Sequence, residues 1–185
     1  MFRLARIRGP RILMFDGVDP KKDATPDKAR YWKSLGVDGF YLNGLVPAWN
    51  NSADSAAVEA ARAFQRVYEA AGVPENFLKI AIYVPHDFSD PRANDRVVIN
   101  FRRAAALARA VGLRGIALDL EPYVDHNTFW AEAGRPGRAA DVTSLGERVG
   151  RAIRAELPKG TLVLLPETLD RADRQQGVTG ESVQS

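Results

Sequence analysis

The amino-acid sequence predicts an α/β fold in which short parallel strands alternate with helices. Three observations lead to this prediction. Five apolar runs of strand length are bounded by glycine or proline, and amphipathic segments of helical periodicity lie between them. In addition, Gly36, Gly72 and Gly112 each close such a segment just before the next apolar run. Alternation of this kind is typical of a parallel sheet whose strands are connected by right-handed crossovers.

The five apolar runs are too short for helices and end at turn-forming or polar residues, which favours buried strands. The first two end at Asp-Gly and Asn-Gly dipeptides, and the third ends at a proline. The fourth and fifth run into acidic residues. The runs are residues 12–15, 40–42, 78–84, 115–118 and 161–165.

Four segments between these runs carry apolar residues three or four positions apart, which places those residues on one face of a helix. The first helix is expected to open at Pro26, and the second after an N-cap at Ser52 or Asp54. The fourth is expected to follow a cap at Thr143-Ser144. The apolar stripes are Ala29, Trp32 and Leu35; Val58, Ala61, Phe64, Val67, Tyr68 and Ala71; Val97, Phe101, Ala104, Ala105, Ala108 and Val111; and Leu145, Val149, Ile153 and Leu157.

Two architectures fit five strand–helix units: an incomplete TIM-like barrel of about five strands, and an open doubly wound sheet. A complete barrel typically needs about 250 residues, and the sequence has 185. We expect one domain over residues 1–167 and a polar tail over residues 168–185. An unclosed barrel has two free strand edges and exposes interior residues such as Leu13 and Leu164, which predicts a homodimer through the open edge.

Composition narrows the class of protein. Apolar residues make up 45% and charged residues 26% of the chain, as in soluble globular proteins. No apolar run approaches the ~20 residues that cross a bilayer, so no membrane partner is expected. The net charge is only +3 and the arginines are spread over three helical segments, which argues against nucleic acid as a partner. Cysteine is absent, which excludes disulfides. The N-terminal stretch lacks the apolar region of a secretory signal, and the compartment stays open.

Polar side chains stand where the predicted strands end. In parallel strand–helix folds this carboxyl edge is where ligands bind. Asp119 and Glu121 alternate along the fourth strand, so both face one side, ~6.5 Å apart along it. Like charges at that distance do not ionise independently, which favours a proton on Glu121. The polar residues at the strand ends are Asp16, Asn43, His86, Asp119, Glu121 and Glu167.

Residues 115–123, Gly-Ile-Ala-Leu-Asp-Leu-Glu-Pro-Tyr, resemble the fourth-strand region of glycoside hydrolases with a barrel fold. The Asp-x-Glu ending is similar to that of chitinase-type barrels. This resemblance implies that Glu121 protonates the glycosidic oxygen and that Asp119 assists it. The chitinase pattern has two further aspartates upstream, where this chain has Arg114 and Ala117. The resemblance therefore implies a glycosidase-like barrel in the broad sense, rather than an enzyme specific for acetamido sugars.

The residue types at the edge also suit this chemistry. Glycosidic cleavage needs a proton donor and a second carboxylate, or a substrate group, to stabilise the positively charged sugar ring. Glu121 is the candidate acid, Asp119 its helper and Glu167 a third candidate catalytic residue. Aromatic and polar side chains suit the faces and hydroxyls of a carbohydrate substrate. The candidate substrate-binding residues are Asp16, Asn43, Trp49, Tyr83, His86 and Tyr123.

Two alternatives stay open. Asp16, Asp119, Glu121 and Glu167 together could hold Mg²⁺ or Ca²⁺ through oxygen, as in a metal-assisted phosphodiesterase or lyase. A barrel without later strands could instead be a catalytically incomplete carbohydrate-binding fragment. The sequence has no glycine-rich dinucleotide or phosphate motif, and its two histidines lack zinc-ligand spacing. We therefore expect the hydrolase to need no cofactor.

Overall fold

Five parallel strands form one sheet in a computed structural model that describes residues 11–53, 55–82, 86–120 and 133–165. All four neighbouring pairs of strands run in parallel. The strands are β1 (Leu13–Met14), β2 (Gly39–Leu42), β3 (Phe77–Ala81), β4 (Gly115–Asp119) and β5 (Thr161–Leu165). The crossovers contain helices α1 (Pro26–Ser34), α2 (Ser55–Ala70), α3 (Pro91–Val111) and α4 (Ala139–Glu156).

The strands lie in the sheet in the same order as in the chain, β1-β2-β3-β4-β5. A doubly wound sheet reverses its strand order at a switch point, and this sheet has no reversal. Successive right-handed crossovers without reversal place every helix on the same face and curl the sheet around the other face. The fold is therefore an incomplete, TIM-like half-barrel, which confirms the first of the two predicted architectures and excludes the second.

The apolar core lies between the sheet and the helices. Residues paired across parallel strands share a face, and the pair Leu78 and Ile116 is completely buried on the helix side. Phe40 of β2 meets the rings of Phe64 and Tyr68 from α2, with centroids 6.2 and 5.7 Å away. Burial of these rings supplies much of the driving force that holds α2 on the sheet.

The start of α1 at Pro26 and the end of α3 at Gly112 agree with the predictions, and the α2 cap candidate Asp54 lies outside the described residues. Asp90 caps α3 by accepting a hydrogen bond from the Arg92 amide at 2.9 Å, and Gly112 ends that helix at a φ of +84°. Helix α4 begins at Ala139, so the predicted cap at Thr143-Ser144 is wrong and both residues lie inside the helix. Tertiary packing of Leu145 and Ile153 favours the longer helix over a local cap at these residues.

The concave face of the sheet, opposite the helices, carries the alternate residues of each strand. Small and large side chains share it: Ala117 lies beside Lys79, and Gly115 lies beside Thr161. A Cβ atom on Gly115 would stand 1.8 Å from the Thr161 carbonyl oxygen, so only glycine allows β4 and β5 to approach this closely. The concave face is the surface on which the candidate site lies.

The β5 edge of the sheet is exposed. Leu162 and Leu164 are 43% and 55% accessible to solvent. The exposure predicted for Leu164 is confirmed, but its assignment to the interior is wrong, because its strand partner Leu118 packs against the helix-side core. The predicted polar tail lies outside the described residues, and dimerisation through the edge stays a prediction. Among the described helices, none combines the length and apolar character that a membrane span requires.

Candidate functional site

A buried ion pair lies on the concave face near the carboxyl end of the sheet. The ammonium nitrogen of Lys79, on β3, is 2.8 Å from a carboxylate oxygen of Asp119, at the end of β4. The Lys79 side chain is 6% exposed and that of Asp119 is fully buried. The alternation of β4 predicted that Asp119 faces the inside, and this ion pair places it there. Two charges are desolvated here, and each offsets the other at direct contact.

The rings of Phe15, directly after β1, and of Tyr41, on β2, extend this ion pair across the concave face. The Lys79 ammonium lies 3.7 Å from the centroid of the Phe15 ring, a cation–π contact. Phe15 meets Tyr41 edge-on at 6.3 Å, and Tyr41 meets Phe77 at 5.7 Å. Burial raises the pKa of the Tyr41 phenol, which therefore stays protonated at neutral pH. The concave face thus offers half-buried rings beside a charged pair.

Asp16 and Asn43 meet at the rim of the sheet, as expected for residues at neighbouring strand ends. The Asn43 side-chain amide donates a hydrogen bond to the Asp16 carboxylate. Asp16 is exposed and Asn43 is half-buried. Phe15 precedes Asp16 in the chain and Tyr41 lies two residues before Asn43. The rim is therefore adjacent to the aromatic rings on the concave face. A carboxylate and an amide in this position suit the hydroxyl groups of a sugar.

Trp49 and His86 come together in the loops above β2 and β3. Their ring centroids are 4.6 Å apart, and Phe88 packs against both rings. The Asn94 side chain donates to the Phe88 carbonyl at 2.8 Å, which leaves its oxygen to accept a hydrogen bond from His86 Nε2 at 2.7 Å. Trp49 and His86 are 4% and 7% exposed, so they fix the shape of these loops more than they present a surface.

One loop carboxylate beside this cluster is held ionised. The hydroxyl and amide of Ser89 donate to Asp87, at 2.6 and 2.8 Å, and lower the pKa of that carboxyl; the Arg138 cation adds to the effect. Asp87 is therefore an anion at neutral pH and contributes negative charge to the loop after β3.

Four of the predicted site residues, Tyr83, Glu121, Tyr123 and Glu167, lie outside the described residues. Pairing of β4 and β5 continues to the residue before Glu121, since the Leu120 amide donates to the Leu165 carbonyl at 3.1 Å. Within the described ranges, no three histidine or acidic side chains are grouped as a metal ion would require.

Lys79 lies in the site but was not among the residues predicted from the sequence. The signal was present, because Lys79 is the one charged residue within the apolar run 78–84. A charge inside a central strand has to be paired. Its partner lies forty positions away in the sequence. The pairing also weakens the expectation that the charge of Asp119 favours a proton on Glu121. The negative charge of Asp119 is offset by an ammonium in direct contact.

The comparisons with known proteins give structural neighbours only. No family model and no curated protein matches the chain. An O-GlcNAc hydrolase mutant of Thermobaculum terrenum superposes with a TM-score of 0.57 at 9% identity, over 83% of this chain and 34% of that one. An exo-β-1,4-mannosidase of Opitutaceae bacterium strain TAV5 gives 0.55 at 17%, over 82% and 31%. A variant of NCR from Zymomonas mobilis gives 0.57 at 16%, over 87% and 56%.

These similarities concern the fold. The chain spans about a third of the length of the two hydrolases and just over half of NCR. At such identities the shared feature is the parallel half-barrel, which confirms the predicted likeness to a partial glycoside-hydrolase barrel. Function has to be argued from the site, because one barrel fold carries many activities.

Proposed function

We propose that this protein acts on the glycosidic bond of an oligo- or polysaccharide, with Glu121 as the general acid and Asp119 assisting it. One observation carries the proposal: a carboxylate at the end of β4 faces the concave side of a glycoside-hydrolase-like half-barrel, beside aromatic rings. Glu121 follows two residues later. A residue pair of this spacing at the carboxyl edge suits proton transfer to a leaving-group oxygen.

The other residues have supporting roles in this proposal. Asp16 and Asn43 hydrogen-bond sugar hydroxyls from the rim, and Tyr83 and Tyr123 flank the sugar. The packed Trp49 and His86 hold the loops that shape the substrate path. The last candidate, Glu167, supplies the second carboxylate. The tertiary contacts that support these roles are the Asp16–Asn43 hydrogen bond and the Trp49–His86 ring contact.

The test compares two matched substitutions. Glu121→Gln removes the transferable proton while keeping the shape of the side chain, and Glu59→Gln makes the same change on the exposed face of α2. On a panel of aryl glycosides, we expect Glu121→Gln to lower kcat/KM by about a hundredfold or more on substrates with poor leaving groups. Glu59→Gln should match the wild type. Equal turnover of all three proteins refutes Glu121 as the acid.

A binding measurement separates hydrolysis from recognition alone. Calorimetric titration of the wild type with short oligosaccharides should detect saturable binding wherever hydrolysis is detected. Binding without any hydrolysis would favour the carbohydrate-binding alternative. Hydrolysis of phosphodiesters that requires an added divalent cation would favour the metal-assisted alternative.

A further inference from the structure

The outer edge of β5 carries unpaired backbone groups. The Thr161 amide donates to the Arg114 carbonyl at 3.0 Å, and the Leu165 carbonyl accepts from the residue that follows β4. The odd-numbered residues of β5 therefore direct their N–H and C=O groups toward β4, and Leu162 and Leu164 direct theirs outward. Within the described ranges no segment hydrogen-bonds to this edge, and both leucine side chains are exposed.

Nothing in β5 opposes pairing with a further strand. Exposed edges in native proteins are protected by charged side chains, prolines or bulges. The strand contains no charge and no proline, and its register with β4 continues from Thr161 to Leu165 without a bulge. The opposite edge of the sheet offers much less, because β1 has only two residues. The β5 edge is thus the better template for pairing.

We propose that β5 is the interface of a two-fold symmetric homodimer, in which it pairs antiparallel with the partner's β5 about Val163. The pattern of the four outward groups selects this occupant. An axis at Val163 places Leu162 opposite the partner's Leu164, and the two residues exchange both backbone hydrogen bonds. Symmetry repeats this pair, so all four groups are satisfied and four leucine side chains meet on one face. The inference does not depend on the proposed hydrolytic reaction.

Helix α4 supplies an independent argument for the same axis. Arg148 pairs with Asp95 of α3, so Gly150, about 200° further round the helix, lies on the opposite flank, toward the β5 edge. A Cβ atom on Gly150 would have no neighbour within 4 Å, so this flank is uncovered in the described part of the chain. Residues 157–160 connect α4 to β5, and Gly150 and Val163 each lie about 10 Å from that connection. The axis at Val163 therefore passes beside Gly150.

Charges on α4 are complementary across this axis. Glu147 and Arg154 are exposed and lie two turns apart on one flank, with Gly150 near their midpoint. Glu147 contacts Arg151 of its own helix at 3.4 Å, and both side chains stay exposed. Because the two copies of β5 run in opposite directions, the two copies of α4 do so as well. Glu147 of each copy then faces the partner's Arg154, which favours a second copy of this chain as the occupant.

Single cysteines test the position of the axis, because the chain has no cysteine of its own. Val163→Cys places two thiols opposite each other with Cα atoms about 4.5 Å apart, within the range that a disulfide bridges. Leu164→Cys is the matched control, because its symmetry copy lies about 7–8 Å away. Under mild oxidation with glutathione, we expect Val163→Cys to form a disulfide-linked dimer and Leu164→Cys to stay monomeric on a non-reducing gel. Equal cross-linking of both variants, or none in Val163→Cys, overturns the inference.

Two double variants that remove the same leucines measure the pairing by sedimentation equilibrium of the full chain. Leu162→Lys with Leu164→Lys places two ammonium groups opposite each other, whereas Leu162→Lys with Leu164→Glu places an ammonium opposite a carboxylate. We expect the first variant to dimerise at least about tenfold more weakly than the second. Wild type should approach twice the mass of one chain as its concentration rises. Equal dissociation constants for the two variants, a wild type that stays monomeric, or growth beyond a dimer overturns the inference.

Discussion

Replacing Lys79 with methionine is expected to lower the free energy of unfolding by about 3–5 kcal/mol, because Asp119 then stays buried without its counter-charge. The two charged atoms are 2.8 Å apart, and the side chains are 6% and 0% exposed. At that distance and an effective dielectric constant of about 20, their attraction is about 6 kcal/mol. Desolvation of each ion costs several kcal/mol, so in the intact pair the attraction roughly offsets the desolvation cost. In the broken pair, the desolvation cost of the remaining charge is no longer offset by that attraction.

The double variant Lys79→Met with Asp119→Leu removes both charges and tests the same reasoning from the other side. Its stability should lie within about 1 kcal/mol of the wild type, or above it, because apolar side chains of similar volume fill the space. Arg62→Gln is the matched control. It breaks an ion pair between Arg62 and Glu59 that is 49% and 69% exposed, and it should produce no measurable change.

Urea unfolding at pH 7, followed by circular dichroism and tryptophan fluorescence, measures all four proteins by linear extrapolation. The reasoning is refuted if Lys79→Met costs less than about 1 kcal/mol, the level expected of an exposed pair. It is also refuted if the double variant is as unstable as the single one. Should Lys79→Met fail to fold, the comparison of the double variant with the wild type still decides the question.

Four further substitutions test stability and ionisation. The Asp19 amide and Lys28 lower the pKa of Asp23, so its carboxylate stabilises the fold at neutral pH and this contribution is lost as pH falls below about 4. Asp23→Asn should therefore shrink the difference between urea midpoints at pH 7 and pH 3, and an unchanged difference would contradict the assignment. Burial and the Asp23 charge raise the pKa of Tyr68 to about 12, so its protonated phenol stabilises the fold below pH 10 and this is lost as pH rises toward 12. An absorbance titration at 295 nm should lack that late step in Tyr68→Phe, and identical curves would count against it. Finally, Gly115→Ala should destabilise by about 1–3 kcal/mol because its Cβ meets the Thr161 carbonyl. Gly146→Ala, in open space on α4, should stabilise by about 0.5–1 kcal/mol in the same urea assay.

Much of the half-barrel could be predicted from local patterns. The five apolar runs are strands, and the helix between Pro91 and Gly112 ends where a left-handed glycine was expected. Such features depend on interactions within a few residues, so a single sequence contains them. Local patterns failed where packing outweighed them: α4 starts before its predicted cap, and Leu35, expected on the buried stripe of the first helix, is 53% exposed.

The candidate site was predicted in part. The alternation along β4 correctly predicted that Asp119 faces the concave side. The positions of the strand ends correctly predicted that Asp16 lies beside Asn43. The roles of these residues, and those of Glu121 and Glu167, stay predictions. Alternation predicts which face of the sheet a residue occupies, but not which side chain of another strand it contacts. For this reason the ion pair between Lys79 and Asp119 was not predicted.

The sequence alone determines that this protein alternates strands and helices and has polar groups at its strand ends. The signals for these features, hydrophobic periodicity and the glycines and prolines at segment ends, depend only on nearby residues. Only the tertiary structure decided that the strands follow one another without reversal, which makes a half-barrel and not an open doubly wound sheet. It also decided that Lys79 compensates Asp119. Both outcomes depend on which distant segments pack side by side, and that choice belongs to the free energy of the whole fold rather than to any short stretch of chain.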